Sequence, residues 1–206
     1  GYKLKIFLVN FADFGVPQLR QRVLFIGVRE DIKTEFISPE FTHKGNHKTS
    51  FDAFQDIDKN CVNHVFQKHL KSTKLKLEAI PEGGNFKDLP DHLAVKGLMS
   101  NIYRKLHRDQ PAYTVIASGG GGTWTYHYSE PRAVTNRERA RLQSFPDDLK
   151  FIGSNTEIRR QIGNAVPAVG IYHFAKRIQD VLDGITPEKN DNCIKEYNVE
   201  IRKFID

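Results

Sequence analysis

Three groups of residues in this chain have types and spacings that suit chemistry. The first is Gly15-Val-Pro-Gln-Leu-Arg-Gln-Arg22. Alternate residues of an extended segment point the same way, so Gln18, Arg20 and Arg22 are expected to project together into one cleft. A guanidinium is a fixed fork of donors, and two of them beside a glutamine amide suit a phosphate or the edge of a base. The alternative is a pair of solvated charges at the entrance to a strand. The second group is Ser118, Gly119, Gly120, Gly121 and Gly122, running into Thr123-Trp-Thr-Tyr-His-Tyr128. Glycines let a backbone approach a ligand closely with its amides as donors, and Thr123, Trp124, Thr125 and Tyr126 are suited to phosphates or bases. A flexible linker is the other reading, although linkers rarely run straight into such an aromatic string. No Gly-Lys-Ser/Thr follows, so this is not the phosphate cradle of nucleotide hydrolases.

The third group joins Arg137-Glu-Arg-Ala-Arg-Leu-Gln-Ser-Phe-Pro-Asp147 to Gly163-Asn-Ala-Val-Pro167, and Pro131 to Gln161 carries a net charge of +3. A charged helix face and an ordinary loop entering a helix would account for these two pieces separately. His43-x3-His47 and Cys61-x2-His64, with His69 nearby, have spacings that zinc accepts. Such pairs arise readily in a chain with eight histidines, and no metal is assigned.

These residues need elements to hold them. Tyr2 to Val9 and Arg22 to Val28 are apolar and β-rich and read as strands, separated by a loop that Gly15 and Pro17 punctuate. The pattern from Asp31 to Pro111 is mixed. Tyr113 to Ala117 reads as a short strand. Thr135-x-x-Glu138 is a capping box opening a helix through Ser144, and Ser154-x-x-Glu157 opens another ending near Gly163. Beyond Pro167, at a first helical position, Ile171, Phe174, Ala175, Ile178, Val181 and Leu182 fall at helical spacing, with Gly184 as terminator. Asn198 to Ile205 is strand-like. Over 206 residues, 39% hydrophobic and 11% aromatic content excludes a disordered or collagen-like chain. A net charge of +6 favours an anionic partner such as nucleic acid. Two cysteines cannot build a disulfide framework, and no apolar run is long enough for a membrane span or signal segment. The chain opens on Gly1 directly into a strand pattern, which reads as a fragment of something longer.

Taken in order, the groups resemble the C-terminal half of a DNA (cytosine-5) methyltransferase, or the second subunit of a split one. Gln18-Leu-Arg-Gln-Arg22 after Phe14-Gly-Val-Pro matches that family's Gln-x-Arg-x-Arg motif. Arg137-Glu-Arg-Ala-Arg-Leu-Gln-x-Phe-Pro146 matches its Arg-Glu-x-Ala-Arg motif, and Gly163-Asn-Ala-Val166 its final Gly-Asn-x-Val motif. The matched stretches are Val9 to Glu30 and Pro111 to about Asp183. The resemblance implies an α/β fold: the C-terminal part of a Rossmann-like, S-adenosylmethionine-dependent methyltransferase domain plus a smaller mixed target-recognition domain. Residues 1–30 would supply end strands of the catalytic domain, 31–155 the recognition domain, and 156–206 the return to the catalytic domain. The apolar face of Tyr2 to Val28 and the Ile171, Phe174 and Ile178 stripe would then need the other half to cover them.

In that family a cytosine is flipped out of the duplex, because C5 and C6 cannot be reached within the stack. A cysteine thiolate adds to C6 and S-adenosyl-L-methionine delivers methyl to C5. By resemblance Arg22 holds the flipped ring at O2, with Arg20 and Gln18 lining the same pocket. Asn164, Ala165 and Val166 would touch the cofactor, and Ser118 to Thr123, with Trp124 and Tyr126, would face DNA. Arg137, Glu138 and Arg141 look structural. Double-stranded DNA and an N-terminal half are the implied partners, in the bacterial cytoplasm; an RNA substrate and a non-catalytic duplex-binding module are the alternatives. The family's Phe-x-Gly-x-Gly, Pro-Cys and Glu-Asn-Val motifs are not in this sequence, and neither Cys61 nor Cys193 follows a proline. No nucleophile is therefore assigned, and the chain alone is expected to be inactive.

Overall fold

Strands β1 (Tyr2–Asn10) and β2 (Gln21–Arg29) form where apolar alternation predicts them and pair antiparallel, with Ile6 opposite Phe25 and Val9 opposite Arg22. Their positions come from a computed structural model that describes residues 1–96, 101–117 and 124–197. Cross-strand partners share a face, so Phe7 and Val9 look the same way as Leu24, Ile26 and Val28. That face is covered by Phe174 and Val181 of helix α5 (Ala168–Leu182) and by Phe36 and Ile194. The opposite face carries Leu4, Leu8, Val23 and Phe25, all exposed, Phe25 at 65%.

The link between the strands is a built turn. Asn10 caps a 3-10 turn at Phe11–Phe14 by accepting from the Ala12 amide, and Phe11 N donates to Arg20 O at 3.0 Å to close the loop. Phe14 meets Phe174 edge-on at 5.5 Å. Helix α5 comes this close because position 170 is glycine: a Cβ there would lie 2.3 Å from Phe11 Cδ1.

A second core holds Leu106, Ala112, Val115, Ala140, Leu142, Phe151, Ile158 and Ile162. It is built from α1 (Ser50–Phe54), α3 (Asn136–Leu142), α4 (Asn155–Asn164) and extended chain. Helix α2 (Lys71–Ala79) sends Leu77 against Tyr126 and Ala133 in a smaller cluster. Both arms of the Thr135–Glu138 capping box form at α3. At α4 only Ser154 completes its arm, accepting from Glu157 N, while the Glu157 carboxylate turns to Arg160 at 2.6 Å.

Two expectations are corrected. Tyr113 to Ala117 is not a strand: one bridge, Gln18 with Ala112, forms just before it, and Val115 is held at both its amide and its carbonyl by the side chains of Gln18 and Arg20 instead of by a ladder. The α5 stripe is not left uncovered as a unit, because Phe174 is fully buried in this chain's own core while Ile178 is 42% exposed. The glycine stretch Ser118 to Thr123 and the strand expected at 198–205 lie outside the described residues. Among the described residues no helix is long and apolar enough to cross a membrane.

Candidate functional site

The Gln18, Arg20 and Arg22 side chains do not share one cleft. Gln18 is fully buried: its Nε2 donates to Leu142 O at 2.9 Å and Gln143 Oε1 at 3.3 Å, and its Oε1 accepts from Val115 N at 2.7 Å. Arg20, 4% exposed, donates through Nη1 to Val115 O at 3.0 Å and through Nη2 to Gly163 O at 3.0 Å and Ala165 O at 3.1 Å. The ends of α3 and α4 leave carbonyls without helical partners, and these two residues satisfy them. Burial, then the nearby charge of Arg22, pulls the Arg20 guanidinium down to about 10. Arg22 already belongs to β2; it is exposed, and its described hydrogen bond is to its neighbour's carbonyl, Gln21 O at 2.6 Å.

The same locks fix the turn between α4 and α5. Gln143 Nε2 donates to Ile162 O at 2.8 Å, so the amides of Gln18 and Gln143 and the guanidinium of Arg20 join the stretches 18–22, 137–146 and 163–166 that carry the three family motifs. Gly163 is required at the contact: a Cβ would lie 2.3 Å from Ala117 N and 2.4 Å from Ala117 Cα, and backbone cannot yield. With the carbonyls of Gly163 and Ala165 drawn inward, the side chains of Asn164 and Val166 stand exposed and Ala165 is half-buried.

The arginines of α3 hold the surrounding loops. Arg137, fully buried, donates to Val62 O, Pro146 O and Leu149 O at 2.9, 2.9 and 2.6 Å. Glu138 is buried against Arg132 at 2.8 Å. Arg141 pairs with Asp147, whose carboxyl is held below the usual range by that guanidinium. The Arg137 bond to Val62 O and an Arg141 bond to Ala53 O at 3.3 Å tie α3 to segments 75 and 88 residues away in sequence.

Beyond the described gap, Trp124 lies under the Arg159 guanidinium, whose central carbon is 3.7 Å from the ring centroid. Tyr126, expected to face DNA, is fully buried between Leu77 and Ala133, and burial pushes its phenol up. Its backbone bridges both Lys105 and Ala133, which turns the ring inward. Arg139 and Arg159 are both buried, and desolvation, with Arg159 second, brings Arg139 down to about 9. Sequence reading missed Gln143, Arg139 and Arg159. Gln143 lay inside a motif already noticed; the arginines gave no signal separating a buried cation from a solvated one. The histidines go separate ways: His47 to Asp13, His64 to Thr135, and His69 to the Ala133 amide. Among the described residues no three potential ligands cluster around a metal position.

The family model for C-5 cytosine-specific DNA methylases matches residues 1–180. The chain belongs to that family. It is 54% identical over 187 residues to the Type II methyltransferase M.NgoFVII of Neisseria gonorrhoeae, covering 86% of this chain and 50% of the relative. It is 50% identical over 175 residues to the Type II methyltransferase M.BbvI of Brevibacillus brevis, covering 82% and 47%. The cytosine-5 methylase chain thus spans about half the length of the curated relatives it matches. A crystal structure of a prophage-encoded DNA modification methyltransferase from E. coli superposes with a TM-score of 0.68 at 18% identity, over 88% of this chain and 61% of that one. At that identity the likeness shows a shared fold, that of DNA methyltransferases.

Proposed function

We infer that this chain is the target-recognition and cofactor-closing part of a bacterial DNA (cytosine-5) methyltransferase, working on a cytosine turned out of a specific duplex site. The observation that carries this reading is the block formed by Gln18, Arg20 and Gln143. It ties the strand entrance, the end of α3 and the Gly163–Val166 turn together, and leaves Arg22, Asn164 and Val166 facing outward. In this reading Arg22 is the catalytic residue of the group and holds the flipped ring at O2. Gln18 and Arg20 are positioning residues. The DNA-facing role given to Ser118 through Thr123 and Trp124 remains part of the proposal.

S-adenosylmethionine, which supplies an electrophilic methyl group when bound, fits the outer side of the turn. Asn164 offers an amide and Val166 an apolar contact there, on backbone held still by Arg20, with half-buried Ala165 between them. The nucleophile is expected from a complementary segment, since this chain spans about half the length of the relatives it matches. The exposed Leu4, Leu8, Val23 and Phe25 face is the surface such a segment would cover. Mixing this chain with the complementary half of the Neisseria relative should give methyl transfer from labelled cofactor to duplex DNA. In that mixture Arg22→Ala should cost activity on the order of 100-fold, as loss of one preorganised donor does, with folding intact. No transfer from two folded halves would overturn the reading.

A further inference from the structure

On the extended segment that leads through Arg20 into β2, Leu19 forms one wall of a cavity of about 320 Å³ whose other walls include Asn101, Arg104, Tyr113, Trp124 and Thr125. Its polar groups are held ready. The Arg104 guanidinium sits over the Tyr113 ring, its central carbon 3.1 Å from the centroid. Its backbone is fixed too: Tyr126 N donates to Arg104 O at 3.1 Å, and Lys105 N donates to Gly84 O at 2.9 Å. Among the described residues the Arg104 side chain has neither an acidic partner nor a hydrogen-bond acceptor, so its edge-on donors are uncommitted. Asn101 Oδ1 is buried with no hydrogen-bond partner among the described residues. An orphaned acceptor of this kind costs about 1–3 kcal/mol, which a ligand donor would recover.

The walls favour a base over a phosphate. Leu19 and Ile116, at 40% and 37% exposure, and the rings of Tyr113 and Trp124 give apolar surroundings that suit the faces and edges of bases. A guanidinium stacked on a ring presents two parallel donors in one plane, the geometry that matches guanine O6 and N7 in the major groove. The cytosine paired with that guanine offers an N4 amino donor, the complement of an unpaired amide oxygen.

We propose that this cavity reads one G·C pair of the recognition site, with Arg104 as the specificity-determining residue for guanine and Asn101 for its cytosine. The inference rests on the duplex-DNA reading above and adds the base pair and the residues that select it.

Trp124 is the only tryptophan in the chain, so its fluorescence reports on this cavity while the anisotropy of a labelled duplex reports on binding as a whole. The test is selection from a pool of randomised duplexes by the 206-residue chain and by Arg104→Ala and Arg104→Lys. The unaltered chain should enrich a motif containing a fixed G·C position, and the selected duplex should change Trp124 emission. Arg104→Ala, with unchanged circular dichroism, should lose preference at that one position by at least about tenfold and keep the rest of the motif. Lysine keeps the charge and can still donate to guanine O6 and N7 without the planar fork, so Arg104→Lys should retain part of that preference, whereas at a phosphate contact it would restore affinity for all sequences alike. Two results overturn the inference alone: an unchanged motif in Arg104→Ala, or a uniform loss across all sequences with a salt slope reduced by about one. Failure of the unaltered chain to bind any duplex would overturn the DNA reading itself, and this inference with it.

Discussion

Replacing Arg20 with alanine removes three hydrogen bonds from a buried cation to Val115 O, Gly163 O and Ala165 O, at 3.0, 3.0 and 3.1 Å. Hydrogen bonds to charged groups contribute about 1.5–3 kcal/mol each, so the gross loss is roughly 4.5–9 kcal/mol. Part is returned, because the folded state no longer holds a desolvated cation. That burden is visible in the Arg20 guanidinium being pulled down to about 10. Three carbonyls left without their donor cost about 1–3 kcal/mol each, and with the cation's desolvation returned the expected net loss is about 3–5 kcal/mol. For a chain of this size that lowers Tm by roughly 10 °C. Arg22→Ala, two residues along but exposed, should change stability by less than about 0.5 kcal/mol. Urea unfolding followed by circular dichroism measures both, with Cm falling and m unchanged if only stability is altered. Arg20→Lys should restore less than half of the loss, since an ammonium cannot span three carbonyls as the fork does. If Arg20→Ala unfolds within 1 kcal/mol of the unaltered chain, or Arg22→Ala is equally damaging, the locking role assigned to Arg20 is refuted.

Gly163→Ala places a Cβ 2.3 Å from the Ala117 amide nitrogen and should destabilise by more than about 3 kcal/mol, separating α4 from the 116–117 backbone; a thermal melt within 2 °C of the unaltered chain would contradict this. His127 is stacked on Phe54 and tilted against Tyr128, and its Nδ1 accepts from the Ser129 and Glu130 amides; burial first, then Arg132, depresses it to about 4, against Glu138 and Glu130. The unfolded chain therefore binds the extra proton first, so this contribution is complete above about pH 6.5 and falls by up to about 1.4 kcal/mol per unit towards pH 4. Urea midpoints across that range should flatten measurably in His127→Asn, which keeps an acceptor; an identical pH slope would exclude His127 as the source. Phe25→Ser, on the open strand face, should leave the Tm of this chain nearly unchanged while weakening its association with a complementary half at least about tenfold, read by sedimentation; equal association would show that the face is not the contact.

Local signals carried much of the framework. The apolar alternation at Tyr2–Val9 and Arg22–Val28 marks both strands to within a residue or two, since cross-strand pairing acts on the same period. The Thr135–Glu138 box and the Ile171-to-Leu182 spacing mark α3 and α5 for the same reason: a cap or a helical face is decided by residues a few positions apart. Tyr113 to Ala117 has strand composition but no strand, because whether a ladder forms depends on what lies alongside, and here that is the side chains of Gln18 and Arg20. The motif order pointed to the cytosine-5 methylase family, which the match over residues 1–180 establishes.

What sequence could not decide was the surroundings of each charge. Period two places Gln18, Arg20 and Arg22 at equivalent positions along an extended chain, yet two are buried and one is in solvent. The acceptors that bury Arg20 come from residues 115, 163 and 165, far along the chain. Nothing local to Arg139 and Arg159 separates them from solvated helix cations, and tertiary packing alone places them in the interior. The physical reason is range: turns, caps and periodicity are set by neighbours, whereas the cost of burying a cation is offset only by carbonyls and rings that the fold brings from elsewhere.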